Sequence, residues 1–225
     1  MDSQLDTVAI LDTETSGLTD SDVAIEVAVI VYSVTHAAPI RSFSSLMRAA
    51  SNPAERVNRI PSALLADAPE AGTVWAGVSR MVAKCDAVLA HNADFDRRFV
   101  PPDIAAKPWI CTMNDLAWPM VDKPTNLAAV ALAHGLGIAS AHRAYTDCDT
   151  IARLLSRVAE TMPLGPFLAR GLRPKSRYQA LVSFETNQLA KDAGFKWDGA
   201  AKMWARTMAD EDAAALAFKV RRIDT

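Results

Sequence analysis

The feature that most constrains the fold is an apolar run at residues 23–34, VAIEVAVIVYSV, which is rich in β-branched residues. Such residues favour strands, and the run is too short to span a bilayer. A shorter run of the same kind, TVAIL at residues 7–11, precedes it, and the intervening TSGLTDSD supplies the Gly, Ser and Asp of a turn. Two apolar strands joined by a turn predict an antiparallel pair at the start of a sheet, with a third strand at residues 40–47.

Helical and strand patterns alternate through the following part of the chain. Residues 73–84 (TVWAGVSRMVAK) have helical periodicity, and residues 86–90 (DAVLA) form an apolar strand that ends at HNADFDRRF. There Asn92 or Asp94 would cap a following helix, which gives the strand, loop and helix order of a βα unit. A further strand is predicted at residues 106–111, with helices at residues 112–118, at residues 126–134 and from Ala144 onward. These patterns predict an α/β fold.

The chain is expected to divide near residue 162. The sequence that follows, LGPFLARGLRPKSR, is rich in Gly, Pro and basic residues, which is typical of a linker. We therefore predict one domain at residues 1–162, a linker at residues 163–175 and a small accessory domain at residues 176–225. The small domain has alternating strand and helix patterns, which predict a compact βαβα unit whose last helix spans residues 210–220.

Charge is distributed unevenly between the two parts. Residues 1–162 carry 13 Lys and Arg against 19 Asp and Glu, whereas residues 163–225 carry 11 against 7. An acidic part is expected where carboxylates gather cations and a basic part where a polyanion approaches, although so small a surplus also arises from ordinary variation in surface composition. Trp197 and Trp204 are expected to anchor the core of the small domain; the alternative is that they and Phe218 stack on nucleic-acid bases.

Cysteine content and hydropathy exclude several classes of protein. Cys85, Cys111 and Cys148 are odd in number and form no CxxC pair, so we expect neither a disulfide framework nor a zinc site, but reduced and buried thiols. The first residues, MDSQLDTVAI, lack the charged start and apolar stretch of a secretion signal, and no apolar run has the length of a membrane span. We therefore expect a cytosolic protein that does not enter a membrane.

Asp12 and Glu14 follow the first apolar strand directly. Residues two apart on a strand point to the same side, so these two carboxylates can converge on one cation. Exposed acids at this spacing are common and are usually just solvated. The position directly after an apolar run favours a metal role, because carboxylates there would be costly without a counter-charge.

Two later segments carry further acids. Asp96, with Asp94 as the competing candidate, stands just after the strand at residues 86–90, where strand ends of α/β folds present functional groups. His142 and Asp147 lie in HRAYTD, where the histidine is expected in a loop and the aspartate on the first turns of a helix. The alternative for the acids, Asp149 included, is that they only favour a helix N-terminus, and a loop histidine is commonly a surface residue.

The order and context of these residues are more informative than each alone. D-x-E after a first strand, HN-x-x-FD after a later strand and H-x-x-x-x-D at the start of a late helix resemble the three motifs of the DEDDh 3′–5′ exonuclease superfamily, across about residues 6–160. AHNADFDRRF, WICTM and HRAYTDCDTIARLL resemble the motif neighbourhoods of the exodeoxyribonuclease X group. The resemblance implies a ribonuclease H-like mixed sheet flanked by helices. It does not cover the small domain, and residues 57–61 (VNRIP) depart from the superfamily pattern.

The resemblance also implies a reaction and the residues for it. The activity would be metal-dependent hydrolysis of phosphodiesters from the 3′ end of DNA, releasing nucleoside monophosphates in repair or end trimming, with two Mg²⁺ ions that Mn²⁺ would replace. Asp12 would bridge both ions, Glu14 and Asp147 would complete the first site, Asp96 would hold the second ion through water, and His142 would be the general base. The 3′-terminal nucleotide would be held by residues near two loops: Thr15, Gly17, Leu18, His91, Asn92 and Phe95.

Three alternatives stay open at this stage. Leu18 and Phe95 would otherwise be core residues beside a turn and a helix start. The same five catalytic residues serve RNA, so an exoribonuclease of the ribonuclease T or oligoribonuclease kind is the second hypothesis, although the resemblance favours DNA. A catalytically silent nucleic-acid-binding module with the same fold is the third. The sequence does not indicate the oligomeric state.

Overall fold

Two sheets organise the chain, as seen in a computed structural model that describes residues 5–19, 21–138 and 142–223. The first sheet has five strands in the order β3-β2-β1-β4-β5. Its strands are β1 (Thr7–Thr15), β2 (Ala24–Ser33), β3 (Ala38–Leu46), β4 (Ala87–Ala90) and β5 (Trp109–Cys111). The first three are antiparallel neighbours and β1, β4 and β5 are parallel, so the sheet is mixed as predicted.

Helices cover both faces of this sheet. They are α1 (Glu55–Asn58), α2 (Ser62–Ala66), α3 (Ala71–Val82), α4 (Ala93–Asp96), α5 (Pro102–Ala105), α6 (Leu127–Ala133), α7 (Ala144–Ala159) and α8 (Leu164–Ala169). Val8 and Ile10 of β1 belong to the core under α6, α7 and α8, whereas Ala9 and Leu11 belong to the core under α3 and α5. Alternate residues of one strand therefore enter opposite cores, which explains why β1 and β2 are apolar throughout.

Helix α7 is the principal cover of one face. Its apolar side, which includes Cys148, Ile151 and Leu155, is fully buried against β1 and β2. The Tyr32 and Ser156 hydroxyls form a 2.9 Å hydrogen bond that ties the far end of the helix to β2. All three cysteines are free and buried, as predicted.

The prediction of a helix at residues 112–118 is wrong. Residues 112–115 form a turn and residues 116–118 have no regular structure. Trp118 Nε1 donates to Thr112 O at 2.6 Å and so occupies a carbonyl that a helix would use, and Asp115 Oδ2 accepts from Cys111 N at 2.7 Å. Such local side-chain bonds compete with helical ones. The neighbouring strand is also shorter than predicted, since β5 begins only at Trp109.

The segment predicted as a linker is helical. Helix α8 and a 3-10 turn (Arg170–Leu172) follow α7, and Leu164, Phe167 and Leu168 are buried in the core beneath α7. Residues 5–172 are called the main unit below because this core includes them. Residues 175–223 are called the C-terminal unit.

The C-terminal unit is a four-stranded antiparallel sheet in the order β7-β8-β6-β9. Its elements are β6 (Lys175–Ala180), α9 (Asn187–Asp192), β7 (Lys196–Asp198), β8 (Met203–Ala209), α10 (Asp210–Ala214) and β9 (Val220–Arg222). The βαβα prediction is therefore wrong in two places: it lacks β7 between α9 and β8, and in place of a long last helix α10 is short and the chain returns as β9 to pair with β6. Tyr178, Phe195 and Met208 form its core, with Trp204 partly buried against them. Trp197 is 54% exposed and is not a core anchor.

Among the residues that the structure describes, no helix combines the length and apolar character that a bilayer crossing requires.

Gly171 gives a test of how the helical connection closes on the main sheet. A Cβ at Gly171 would lie 2.6 Å from Cγ2 of the fully buried Ile110, whereas a Cβ at Gly165 in α8 would meet no described atom within 4 Å. We expect Gly171→Ala to lower the free energy of unfolding by about 1–3 kcal/mol through overpacking. Gly165→Ala is the matched control and should be neutral or stabilising by about 0.5–1 kcal/mol. Urea titrations would measure both, and equal midpoints would contradict this packing.

Candidate active site

The acids of β1 lie on the face that α7 covers. Val8 and Ile10 pack beneath the middle of α7, and the same alternation places Asp12 and Glu14 further along that face, toward the N-terminus of the helix. Asp147 stands on the first turn of α7. Each of the three carboxylates offers an oxygen, and these oxygens lie within 4.8 Å of one another. The predicted convergence of Asp12 and Glu14 is present in the structure, and Asp147 joins them.

Asp96, rather than Asp94, turns toward this cluster. Asp96 is 2% exposed, and its Oδ1 accepts hydrogen bonds from Thr13 N at 2.9 Å and Thr13 Oγ1 at 2.8 Å. These bonds fix α4 against β1. Asp94, two residues earlier on the same short helix, faces solvent. The structure therefore separates two candidates that the sequence left open.

One cleft of about 370 Å³ collects most of the predicted site. Asp12, Asp96, Asp147 and His142 line it together with His91, Asn92 and Phe95. Its remaining lining comes mainly from the N-terminus of α6 and from Ile138, residues that sequence reasoning did not identify. No charge or motif marked them, because they reach the cleft only through the tertiary fold.

The carboxylates repel one another and are poorly solvated. Burial, followed by the charges of Asp96 and Asp147, raises the pKa of Asp12 well above its usual range. Burial and the neighbouring carboxylates raise the pKa of Glu14 to about 8, and burial raises that of Asp96 to about 7 against the lowering effect of the Thr13 hydrogen bonds. Burial also raises the pKa of Asp147. Among the described residues, the charge of Arg143 lowers the pKa of Glu14, but it offsets only part of the rise because Arg143 is paired with Glu26.

This donor set fits a hard divalent cation. Mg²⁺ prefers carboxylate oxygens at about 2.1 Å, so two of its ligand atoms lie at most about 4.2 Å apart. Oxygens within 4.8 Å of one another need only a small contraction to meet that geometry. Asp12, Glu14 and Asp147 would hold such an ion, and Asp96 lies on the opposite wall of the same cleft.

His142 is held at the rim by the same helix start. Its backbone N donates to Asp147 Oδ2 at 3.2 Å, and its φ of 62° is in the left-handed region, which is uncommon outside glycine. The side chain is exposed and lines the cleft. The loop position predicted for this histidine is confirmed.

His91 is a fixed neutral ring. Its Nε2 lies 3.0 Å from Thr125 O, which can only accept, so Nε2 carries the proton and Nδ1 accepts from the Thr112 hydroxyl at 3.0 Å. Burial lowers the pKa of His91 to about 4. Both nitrogens are thus engaged with the protein, and His91 connects β4 to the segment before α6. Asn92 follows with a left-handed φ of 74°, which turns the chain into α4.

Hydrogen bonds hold the described start of the loop after β1. Thr15 Oγ1 donates to Gly17 O at 2.6 Å, and a Cβ at Gly17 would lie 2.5 Å from Asp22 Oδ1, so a larger residue there would displace the Asp22 side chain. Leu18 is 75% exposed, which rules out core packing for it. Phe95 is half-buried and packs on Phe99 with ring centroids 5.1 Å apart.

The unusual segment VNRIP supports this loop from behind. Asn58 is 1% exposed and donates from Nδ2 to Thr15 O at 3.1 Å, while its Oδ1 accepts from Asn52 Nδ2 at 2.8 Å and from Ile60 N at 3.1 Å. Asn58 therefore has a structural role beneath the loop. Arg59, with φ 58°, ends α1.

Glu26 and Arg143 were missed by sequence reasoning. Glu26 lies opposite Glu14 in the β1–β2 pair, is 3% exposed, and accepts from Arg143 Nη2 at 2.8 Å, Arg143 Nε at 3.2 Å and Ala144 N at 3.0 Å. The sequence signal that could have identified Glu26 is that it is the single charge in an otherwise apolar strand, since a buried charge requires a partner. The pair fixes the start of α7 between His142 and Asp147.

Solved structures with the same fold are exonucleases. Exonuclease X in complex with 5′ overhanging duplex DNA matches over 72% of this chain and 97% of that chain, with a TM-score of 0.56 and 28% sequence identity. The nuclease domain of 3′hExo, a DEDDh family member, bound to rAMP, matches over 72% and 96%, with a TM-score of 0.58 and 18% identity. E. coli exonuclease I in complex with a dT13 oligonucleotide matches over 83% and 50%, with a TM-score of 0.59 and 15% identity.

The chain thus has the fold of the DEDDh 3′–5′ exonucleases, a mixed five-stranded sheet flanked by helices. Among the structures compared, exonuclease X combines this fold with 28% identity over nearly its whole length. Residues 176–223 match a separate family described as a domain of unknown function (DUF8626). No curated protein matches the chain by sequence.

Removal of divalent metal should make stability depend on pH. The pKa of Glu14 is raised from 4.5 to about 8, so between these pH values the folded protein holds more protons than the unfolded chain. The stability of the metal-free protein should therefore fall as the pH rises through that range. Added Mg²⁺ should oppose this fall by neutralising the carboxylates. Thermal unfolding with EDTA and with Mg²⁺ would measure it. Asp12→Asn should raise the metal-free melting temperature at the upper end and abolish the Mg²⁺ response; a Mg²⁺ response retained by Asp12→Asn would contradict the assignment.

The Glu26–Arg143 pair should show strong coupling. Arg143→Met leaves the buried Glu26 carboxylate without its ion partner, and Glu26→Gln removes the charge that Arg143 and the Ala144 N–H bind, so each is expected to lower the free energy of unfolding by about 1–3 kcal/mol. The double variant should lose less than the sum, by about 0.5–3 kcal/mol. A double-mutant cycle from denaturant titrations gives this value, and strict additivity would show that the pair is not energetically linked.

Proposed function

We propose that this protein is a metal-dependent 3′–5′ exonuclease that hydrolyses phosphodiester bonds from the 3′ end of DNA and releases nucleoside monophosphates, in repair or end trimming. The observation that carries this proposal is the convergence of Asp12, Asp96, Asp147 and His142 on one cleft, with Glu14 beside Asp12. The fold shared with exonucleases supports it. The proposed domains are a catalytic domain at residues 1–162 and an accessory domain at residues 176–225, with residues 163–175 as a helical connection that packs on the catalytic domain.

The acids fit the needs of the reaction. A phosphodiester is anionic and resists attack by water, so a second negative charge cannot approach it without compensation. Two divalent ions, Mg²⁺ or Mn²⁺, would neutralise the phosphate and stabilise the attacking and leaving oxygens. Asp12, Glu14 and Asp147 would hold one ion, and Asp96, with Asp12, the other.

His142 is the proposed general base. A histidine at the rim can take the proton of the attacking water and release it to solvent, since the side chain is exposed. Asp147 Oδ2 holds the backbone of His142, so the base and one metal ligand are fixed by the same hydrogen bond. The Glu26–Arg143 pair stabilises this arrangement from the sheet side.

Recognition of the 3′-terminal nucleotide is assigned to both loops beside the cleft. Leu18 is exposed next to the Thr15–Gly17 hydrogen bond, which suits an apolar wedge against the terminal base. Phe95 and Asn92 line the cleft from the other side. His91 supports that wall, because its two ring nitrogens already bind protein groups.

An exoribonuclease is the second candidate. It is favoured by the match to a DEDDh nuclease domain bound to rAMP, whereas the match at 28% identity is to an enzyme in complex with DNA. The higher identity favours DNA for this chain. A silent binding module is disfavoured, because such a module would have no need to retain five convergent catalytic groups.

The central experiment is digestion of single-stranded DNA and RNA labelled at either end. We expect mononucleotides to be released from the 3′ end of DNA with Mg²⁺ or Mn²⁺ and none with EDTA. His142→Ala should lower turnover by about 10²- to 10⁴-fold, the usual contribution of a general base, with Mg²⁺ binding retained. Asp12→Ala should lose both turnover and Mg²⁺ binding.

The chain offers a matched control for these variants. Asp96→Ala should abolish turnover, whereas Asp94→Ala, which removes an exposed acid from the same helix, should retain it. Equal activity of the two variants would contradict the assignment of Asp96. Release of nucleotides from the 5′ end, or none from either nucleic acid, would overturn the proposed function.

A further inference from the structure

The C-terminal sheet has one face that helices do not cover. Tyr178 and Met208 point toward α9 and α10 and form the core of the unit. Residues on the alternate positions point the other way, since neighbours along a strand face opposite sides of a sheet. That second face, called the open face below, carries Lys175, Arg177 and Gln179 of β6, Lys196 and Asp198 of β7, Ala205 and Thr207 of β8, and Arg221 of β9.

One row of residues on the open face has a cation at each end. The registers place Lys196, Ala205, Gln179 and Arg221 in one row across all four strands. Lys196 and Arg221 are exposed at the two ends of the row, about 14 Å apart at three strand spacings. Ala205 and Gln179 lie between them, and Gln179 Oε1 accepts a hydrogen bond from Arg221 Nη2 at 2.5 Å. The row therefore has a positive charge at each end and uncharged residues between.

Acidic side chains are distributed unevenly between the two sides of the C-terminal unit. Asp198 is the one described acid of this unit on the open face, where it binds Arg177 at 2.7 Å. The other described acids lie toward the helices, their loops or the main unit: Asp210 binds the Tyr178 hydroxyl, Glu211 and Asp212 bind Arg173, Asp192 binds Lys123, and Glu185 binds Ser183. Four cations thus face one acid across the open face.

The open face adjoins the wall of the candidate active site. Lys175 reaches Asp115 of the main unit at 2.5 Å, and Lys175 and Thr207 line a cleft of about 180 Å³ with Ala93, Asp94 and Arg97 of the α4 region. The inner side of α4 carries Asp96 into the catalytic cleft. Only the short helix α4 separates the two surfaces. A polynucleotide whose 3′ end lies in the 370 Å³ cleft must continue across the protein surface, and beyond the Lys175–Asp115 ion pair the open face offers the exposed charges of Lys196 and Arg221.

We propose that the open face binds the phosphate backbone of the nucleic-acid strand whose 3′ end enters the cleft, with Lys196 and Arg221 as the principal phosphate contacts. This proposal rests on the proposed function for the identity of the strand. The proposal is supported by charge complementarity, because exposed cations on both sides of uncharged residues suit a polyanion. Backbone contacts of this kind do not depend on base sequence. Lys175 and Arg177, held by Asp115 and Asp198, extend the positive surface along β6.

Binding in the presence of EDTA tests the proposal without turnover. The full chain is titrated into a fluorescently labelled single-stranded oligodeoxynucleotide at several salt concentrations, and anisotropy gives the dissociation constant. Each phosphate contact on a single strand contributes about 0.7 to the slope of log affinity against log salt, so Lys196→Glu with Arg221→Glu should reduce the slope by about 1.4 and weaken binding at low salt. Lys196→Gln with Arg221→Gln, a milder change at exposed positions, should reduce the slope in the same direction.

Arg80→Glu with Lys84→Glu is the matched control. Both residues are exposed, at or just after the end of α3, on the side where β4 begins rather than where it meets the cleft. This control should keep the slope and affinity of the original protein. Equal slopes for both glutamate pairs would overturn the proposal. The digestion assay distinguishes this proposal from the proposed function. Nucleotide release together with unchanged slopes would contradict only binding by the open face, and a reduced slope without nucleotide release would contradict only the proposed hydrolysis.

Discussion

Mutual repulsion among the carboxylates at the cleft is the constraint on which the rest of the structure depends. Asp12, Glu14, Asp96 and Asp147 come from a strand, a short helix and the start of a long helix, and the pKa of each is raised by burial. Folding brings them together against their own charge, so the surrounding contacts must supply the free energy that holds them. The two apolar cores on either side of the sheet provide most of it. The Thr13–Asp96 hydrogen bonds and the Glu26–Arg143 pair then set the positions of the individual elements.

Much of this arrangement could be predicted from the sequence because the relevant signals are local. The antiparallel pair β1–β2, the strand β4, the helix α7 and the carboxylate pair Asp12–Glu14 all follow from apolar periodicity and the two-residue repeat of a strand. The helix expected at residues 112–118 failed because Asp115 and Trp118 bind backbone groups, which periodicity does not reveal. The choice of Asp96 over Asp94 and the partner of Glu26 depend on contacts between residues more than eighty positions apart. Such contacts exist only after the chain has folded.

Less of the C-terminal unit could be predicted from local sequence signals. Its composition indicated a basic accessory part, and in the structure all but one of its described acids lie toward the helices, their loops or the main unit, whereas four cations and the acid Asp198 lie on the uncovered side of the sheet. The βαβα pattern was wrong because β9 is only three residues long and its pairing with β6 is nonlocal. Trp197 lies at the edge, where it packs on Trp204 with ring centroids 5.6 Å apart and remains half exposed.

The helical connection has a consequence for how the two units can be separated. Phe167 packs edge-on against Trp118 with ring centroids 5.4 Å apart, and Leu164 and Leu168 are buried in the same core. A protein shortened after residue 162 would expose this apolar patch and become prone to association, whereas one shortened after Leu172 would keep it covered. The boundary between the two units therefore lies after the 3-10 turn, and the Lys175–Asp115 ion pair and the Arg206–Asn114 hydrogen bond join the units across it.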